Sequence, residues 1–218
     1  NTVVLPVSYS KSLRTPGASQ MKDVPNSVSK PSDAIEPFSI CKDSLIEAEI
    51  YSQVATFQTS FFPRVFKMDL IKDKKGKDEV YYEFERMLPL YDGDNGNNPA
   101  LFPDEDDLCT RLRTAFKFIL DVTVQLHLLH NKLGFVHADI SPSNIMYSEE
   151  DRCWKLIDFD RSMPVAESEA TRRTSGTANW IAPESVESGI FTRTGDVYSL
   201  GSIVKEFLLP PLILMTFS

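Results

Sequence analysis

Glycine is nearly missing from the first third of this chain: Gly17 alone precedes Gly76. That excludes, over this stretch, a loop in which several glycines let backbone N–H groups close on a phosphate. Cysteine is also scarce. Cys41, Cys109 and Cys153 are scattered and form no C-x-x-C pair, which argues against a disulfide framework and a structural zinc and points to a reducing compartment, cytoplasmic or nuclear. No apolar run approaches the roughly 18 residues that cross a bilayer, so no membrane partner is expected. The apolar stretch 207–215 is short and broken by Pro210 and Pro211. Positive charge is in the minority, 23 Lys and Arg against 31 Asp and Glu, for a net charge of -8 and a pI near 5.0. A surface of that sign excludes nucleic acid as the main partner. No signal peptide is visible, and with Asn1 rather than Met at its start the chain reads as a fragment.

What is present is an ordinary globular composition, 42% hydrophobic and 25% charged over 218 residues, enough for one domain or one domain in two lobes. Residues 1–36 are rich in Ser, Pro, Lys and Thr and read as an irregular or disordered segment. Asp43 and Ser44 are good helix N-caps for the apolar positions Leu45, Ile46, Ala48, Ile50, Tyr51 and Val54. Two strand-like runs follow, 64–71 and 79–85, joined by a charged turn centred on Gly76. The polar stretch 91–99 reads as a flexible connection. The clearest helix covers 107–131, where Leu108, Leu112, Ala115, Ile119, Val122, Leu126 and Leu129 recur at spacings of four and three. Phe116, Leu120 and Leu128 are expected to widen that face into a buried core helix. Short strands then run to Asp158, a long loop to Glu184, and an apolar helix from Gly195 to Leu209.

Four segments carry the chemistry. The first is His137-Ala-Asp-Ile-Ser-Pro-Ser-Asn144, where a carboxylate that can orient or deprotonate a hydroxyl precedes an amide oxygen by five residues. Fourteen residues later Lys155-Leu-Ile-Asp158-Phe-Asp160 is an apolar strand ending in a carboxylate, suited to a metal that bridges phosphates. Ser175-Gly-Thr-Ala-Asn-Trp-Ile-Ala-Pro-Glu184 and Asp196-Val-Tyr-Ser-Leu-Gly201 follow in order. The order and intervals resemble the H-x-D-x-x-x-x-N, D-F-G, A-P-E and buried-helix motifs of the eukaryotic protein kinase superfamily, in wording nearest the fungal-type protein-kinase-like family.

The resemblance implies an α+β, two-lobed fold: a partial upper lobe over 37–88 and a mostly helical lower lobe over 89–218, truncated after the helix that starts near 196. It implies ATP and Mg²⁺ as cofactors and a protein Ser/Thr hydroxyl as acceptor. Asp139 would be the base, Asn144 and Asp158 the magnesium ligands, and Asp196 the brace of the catalytic loop. In the upper lobe Glu47, favoured over Glu49 by the apolar residues three, four and seven positions on, would pair with a phosphate-binding lysine. Lys30 is better spaced for that role, Lys42 looks more like a strand residue, and a chain without such a lysine is the third reading. Glu85 and Met87 would form the hinge facing adenine, with Phe84 behind.

Several departures bear on the mechanism. The glycine-rich loop is absent. Ala138 replaces an arginine that pairs with phosphorylated activation loops, so Thr171, Thr174 and Ser175 are poor phospho-switch candidates, although Arg172 and Arg173 lie nearby. Ser141 stands where a lysine usually neutralises the γ-phosphate. Asp160 in the glycine's place is expected to restrain Asp158. The missing later helices, including the one whose arginine would pair with Glu184, are expected to leave an apolar patch around Val197, Leu200, Ile203, Val204 and Phe207, open to a partner. Two rival readings follow: a pseudokinase that binds without turnover, and a small-molecule kinase, against which the A-P-E segment argues.

Overall fold

The computed structural model describes residues 38–42, 45–57, 59–72, 76, 78–92, 96–97, 108–168, 170–173 and 177–208. The readings made for residues 1–36, Lys30, the Asp43–Ser44 cap, Thr174, Ser175 and the tail 209–218 lie outside them, as does the side chain of Lys42.

The upper lobe is built on β3 (Asp78–Phe84), which pairs antiparallel with β1 (Phe38–Lys42) on one edge and β2 (Val65–Lys72) on the other. Strand periodicity turns Val80, Tyr82 and Phe84 to one face, where all three are buried. Helix α1 (Leu45–Val54) lies on that face. Its buried residues Glu47, Ala48, Ile50, Tyr51 and Val54 follow the helical repeat, and the Tyr51 ring meets Tyr82, Phe84 and Phe159 at centroid distances of 5.8, 5.1 and 5.3 Å.

The short strand β4 (Leu88–Pro89) leads out of the sheet and pairs with β8 (Ile145–Ser148). The stretch expected as a connection holds a small hairpin, β5 (Tyr91–Asp92) with β6 (Gly96–Asn97). Helix α2 (Leu108–Leu128) continues as a π-helical turn over Leu129–Leu133 and stops at Gly134, whose φ of 78° is the left-handed C-terminal cap. Strand β7 (Phe135–Val136) follows, then the candidate catalytic loop, then β8 paired with β9 (Cys153–Leu156).

One expectation for α2 fails. Its inner arc is Ala115, Phe118, Val122 and Leu126, whereas Phe116 is 67% and Leu120 62% exposed. At 100° per residue these two sit 200° round from Phe118, on the far side of the helix. The buried face also carries polar groups. Gln125 donates to the Trp154 carbonyl and accepts from Leu156 N–H, and Asp121 accepts from Trp154 N–H at 3.0 Å. These side chains satisfy the β9 edge that β8 leaves open, as a further strand would.

The loop after β9 contains β10 (Met163–Pro164), paired with β7, and the single turn α3 (Val165–Ser168). Helix α4 (Pro183–Ser188) and helix α5 (Arg193–Ile203) follow. Thr192 caps α5 by accepting from Gly195 N–H, and a π-helical turn carries the helix on to Leu208. The expected apolar patch shrinks here. Val197 is 58% exposed, but Leu200, Ile203 and Leu208 are buried in the main core, with Val204 and Phe207 packed against it. The face assigned to missing helices is the one α5 turns inward. No helix among the described residues is long and apolar enough to cross a membrane.

Candidate phosphoryl-transfer site

The loop between β7 and β8 is held from below by one carboxylate. Asp196, buried in the first turn of α5, accepts from His137 N–H at 2.8 Å and Ala138 N–H at 2.9 Å, and its Oδ2 lies 2.8 Å from His130 Nε2. Ala138 has φ 65°, a left-handed conformation unfavourable for a residue with a Cβ, and those two bonds hold it there. His137 packs its ring on Phe159 at 5.1 Å, and its Nε2 lies 3.2 Å from the Ile157 carbonyl.

Asp139 emerges from this platform partly exposed. Thr177 donates to its Oδ1 from both backbone N–H and hydroxyl, at 2.9 and 2.8 Å, so that oxygen is saturated. Its Oδ2 has longer neighbours: Asn144 Nδ2 at 3.4 Å and Arg161 Nε at 3.4 Å. Oδ2 is therefore the oxygen able to accept from an incoming hydroxyl. Asn144 ends the 3₁₀ turn Pro142–Asn144 and donates from Nδ2 to the Asp139 carbonyl at 2.8 Å. Its own carbonyl accepts from Ile157 N–H at 3.0 Å, which ties the catalytic loop to the residue before Asp158.

Asp158 has φ 64° and ψ 72° and precedes the 3₁₀ turn Phe159–Arg161. Phe159 is fully buried, and its N–H donates to Glu47 Oε1 at 3.2 Å, so α1 and the D-F-D turn are joined. Carboxylate oxygens of Glu47, Asp158 and Asp160 all lie within 4.8 Å of one another. Burial first, then the charges of Glu47 and Asp158, push the Tyr51 phenol well above its ordinary range. Glu49, by contrast, is exposed and accepts from Gln53.

The carboxylates of Glu47, Asp158 and Asp160 are a donor set that fits a hard divalent cation, crowded enough that their charges call for a counter-charge. Asp158 and Asp160 would hold Mg²⁺, with Asn144 the amide ligand that the resemblance implies. Burial pushes the Cys153 thiol up to about 11, so it is no nucleophile.

The Glu85 carboxylate, read from the sequence as part of the hinge, is committed to other side chains. It is buried against the Lys155 ammonium, the Ser148 hydroxyl and the Arg64 backbone N–H. Lys155, fully buried, also pairs with Asp151, and Arg64 extends the network to Glu150. The sequence reading passed over Lys155 because a lysine in a strand is ordinarily solvated, and only its partners 70 residues upstream and four residues upstream make burial tolerable. Met87 is buried at the end of this segment. Glu184 is exposed, with no ion-pair partner among the described residues.

The network sets an acid limit on stability. Burial pushes the Glu85 carboxyl up, but the Lys155, Ser148 and Arg64 hydrogen bonds outweigh it and hold the group below its ordinary 4.5. A depressed folded-state value means the stabilisation is complete above 4.5 and is lost as pH falls through the lower, folded value. Lys155→Met is expected to cost about 3–5 kcal/mol by taking the buried ammonium from Glu85 and Asp151, and to weaken the acid loss, because burial then raises the folded-state Glu85 value toward or above 4.5. Urea unfolding at pH 4 to 7 checks both; an unchanged acid limb would contradict the assignment.

This fold and site define a kinase class, and the comparisons place the chain within it. The protein kinase domain family matches residues 100–215, just over half of the sequence, and the chain belongs to that family. It is 40% identical over 102 residues to an Aurora kinase of Debaryomyces hansenii and 27% identical over 161 residues to the serine/threonine/tyrosine-protein kinase HT1 of Arabidopsis thaliana. Those matches cover 45% and 74% of this chain but only 24% and 39% of the two relatives. In fold it is similar to the Cydia pomonella granulovirus kinase PK-1, with a TM-score of 0.57 over 78% of this chain and 61% of that one, at 16% identity.

Proposed function

We propose that this chain transfers the γ-phosphate of ATP to a Ser or Thr hydroxyl of a protein. The observation that carries the reading is the junction of Asp139, Asn144 and Asp158. Asn144 bonds the Asp139 segment through its side chain and Ile157, the residue before Asp158, through its backbone. Bound Mg²⁺ would neutralise phosphate oxygens and polarise the γ-phosphorus. Asp139 Oδ2 accepts the hydrogen bond of the acceptor hydroxyl and takes its proton as the new O–P bond forms. The bond from the γ-phosphorus to the β–γ bridging oxygen breaks, and the electron pair leaves on ADP. Asn144 and Asp158 hold the charge at the phosphates, and Glu47 anchors the D-F-D turn through Phe159 N–H.

A protein acceptor is favoured by the likeness of residues 176–184 to the kinase segment that docks peptides, and Thr177 of that stretch bonds Asp139. The second reading, a kinase-fold module that binds nucleotide without transfer, is favoured by Ser141 and the missing glycine-rich loop.

Incubation with γ-labelled ATP, Mg²⁺ and a mixed panel of protein and small-molecule acceptors separates the readings. Label on Ser and Thr of proteins supports transfer as proposed. Nucleotide-dependent thermal stabilisation without label supports the second reading, and label confined to small molecules overturns the choice of substrate.

A further inference from the structure

The catalytic loop places Asp139 beside the position of a polyanionic phosphate, yet supplies no cation of its own. Ile140, Ser141, Pro142 and Ser143 carry no charge, and the Ser141 hydroxyl is spent on Ser143 Oγ at 2.8 Å. A carboxylate facing a phosphoryl group without a counter-charge raises the barrier through like-charge repulsion. The cation comes from another segment. Arg161, at the end of the D-F-D turn, brings Nε to 3.4 Å from Asp139 Oδ2, the oxygen that Thr177 leaves available.

We infer that Arg161 is the γ-phosphate-facing cation of this site, in the place a loop lysine would fill; this rests on the proposed function. The distances allow it. A hydroxyl bonded to Oδ2 at about 2.7 Å and poised about 3.3 Å from phosphorus puts the phosphoryl group within roughly 6 Å of that oxygen. A guanidinium anchored on the same oxygen reaches that far, and among the described residues Asp139 is its one side-chain partner. Its four other N–H groups remain to meet phosphate oxygens in the paired geometry that favours arginine. The turn that carries it is fixed: Ser162 N–H bonds the Phe159 carbonyl, and Arg173 Nη1 bonds the Arg161 carbonyl at 3.5 Å. With the Arg161 side chain 40% exposed, its pair with Asp139 adds little stability, so its value lies in the charge it places.

The test is nucleotide discrimination by titration calorimetry, which needs no turnover. Wild type, Arg161→Lys and Arg161→Gln are titrated with Mg·ATP and Mg·ADP, with thermal melts to confirm folding. Arg161→Gln is expected to lose about tenfold in ATP affinity relative to ADP, and Arg161→Lys to stay within about threefold of wild type. In the transfer assay Arg161→Gln should lower kcat more than it raises KM for the acceptor. A folded Arg161→Gln that keeps the wild-type ATP/ADP ratio, or transfers faster, overturns the inference and leaves the proposed function standing. A wild-type chain that binds neither nucleotide overturns both.

Discussion

Asp139→Asn is expected to slow γ-phosphoryl transfer by about a hundred- to ten-thousandfold while leaving the Kd for Mg·ATP within about threefold. The amide is the same size as the carboxylate, and its oxygen can still accept from Thr177 N–H and hydroxyl, so the loop keeps its shape. What disappears is the group that takes the proton. A single-turnover transfer assay beside a calorimetric Mg·ATP titration checks the two halves together. A variant as fast as wild type would remove Asp139 from the chemistry, and one that fails to bind nucleotide would make its role structural.

Asp196→Ala acts on the same loop through folding. Its carboxylate serves His137 N–H, Ala138 N–H and His130, all buried, and sustains the left-handed turn at Ala138. Each buried donor left without a partner costs roughly 1–3 kcal/mol, so a loss of about 3–5 kcal/mol is expected, read as a lower urea midpoint. Asp196→Asn should recover little of it, because an amide NH₂ would face a backbone N–H. A loss below about 1 kcal/mol would mean that the loop holds itself without this brace.

The lower-lobe candidate site was legible in the sequence as residue types at fixed intervals. A proton acceptor, an amide five residues on and a strand-ending carboxylate leave few alternatives at 139, 144 and 158. Helix α1 was legible for a simpler reason: an apolar repeat from Ala48 to Val54 puts Glu47 on the buried face and leaves Glu49 outside. Polar burial was not legible. Lys155, Asp121 and Gln125 are polar side chains whose burial shows only when partners 31 to 70 residues away are brought against them, and Glu85, read as hinge, is Lys155's partner. Charged and apolar residues failed in opposite senses. Phe116 and Leu120 belong to the same apolar helix as Phe118, yet face outward, because the stripe at three- and four-residue spacings was read one arc too wide. Arg161 went unnoticed since nothing in D-F-D-R announces that its side chain returns to Asp139; that contact depends on the left-handed Asp158 and the turn after it.

The measurement closest to the central claim is a crystal structure of the chain with Mg²⁺ and a non-hydrolysable ATP analogue. The account predicts a metal about 2.1 Å from oxygens of Asp158 and Asn144, with the γ-phosphate beside Asp139 Oδ2. A nucleotide bound elsewhere, or a metal that leaves both side chains untouched, would contradict it.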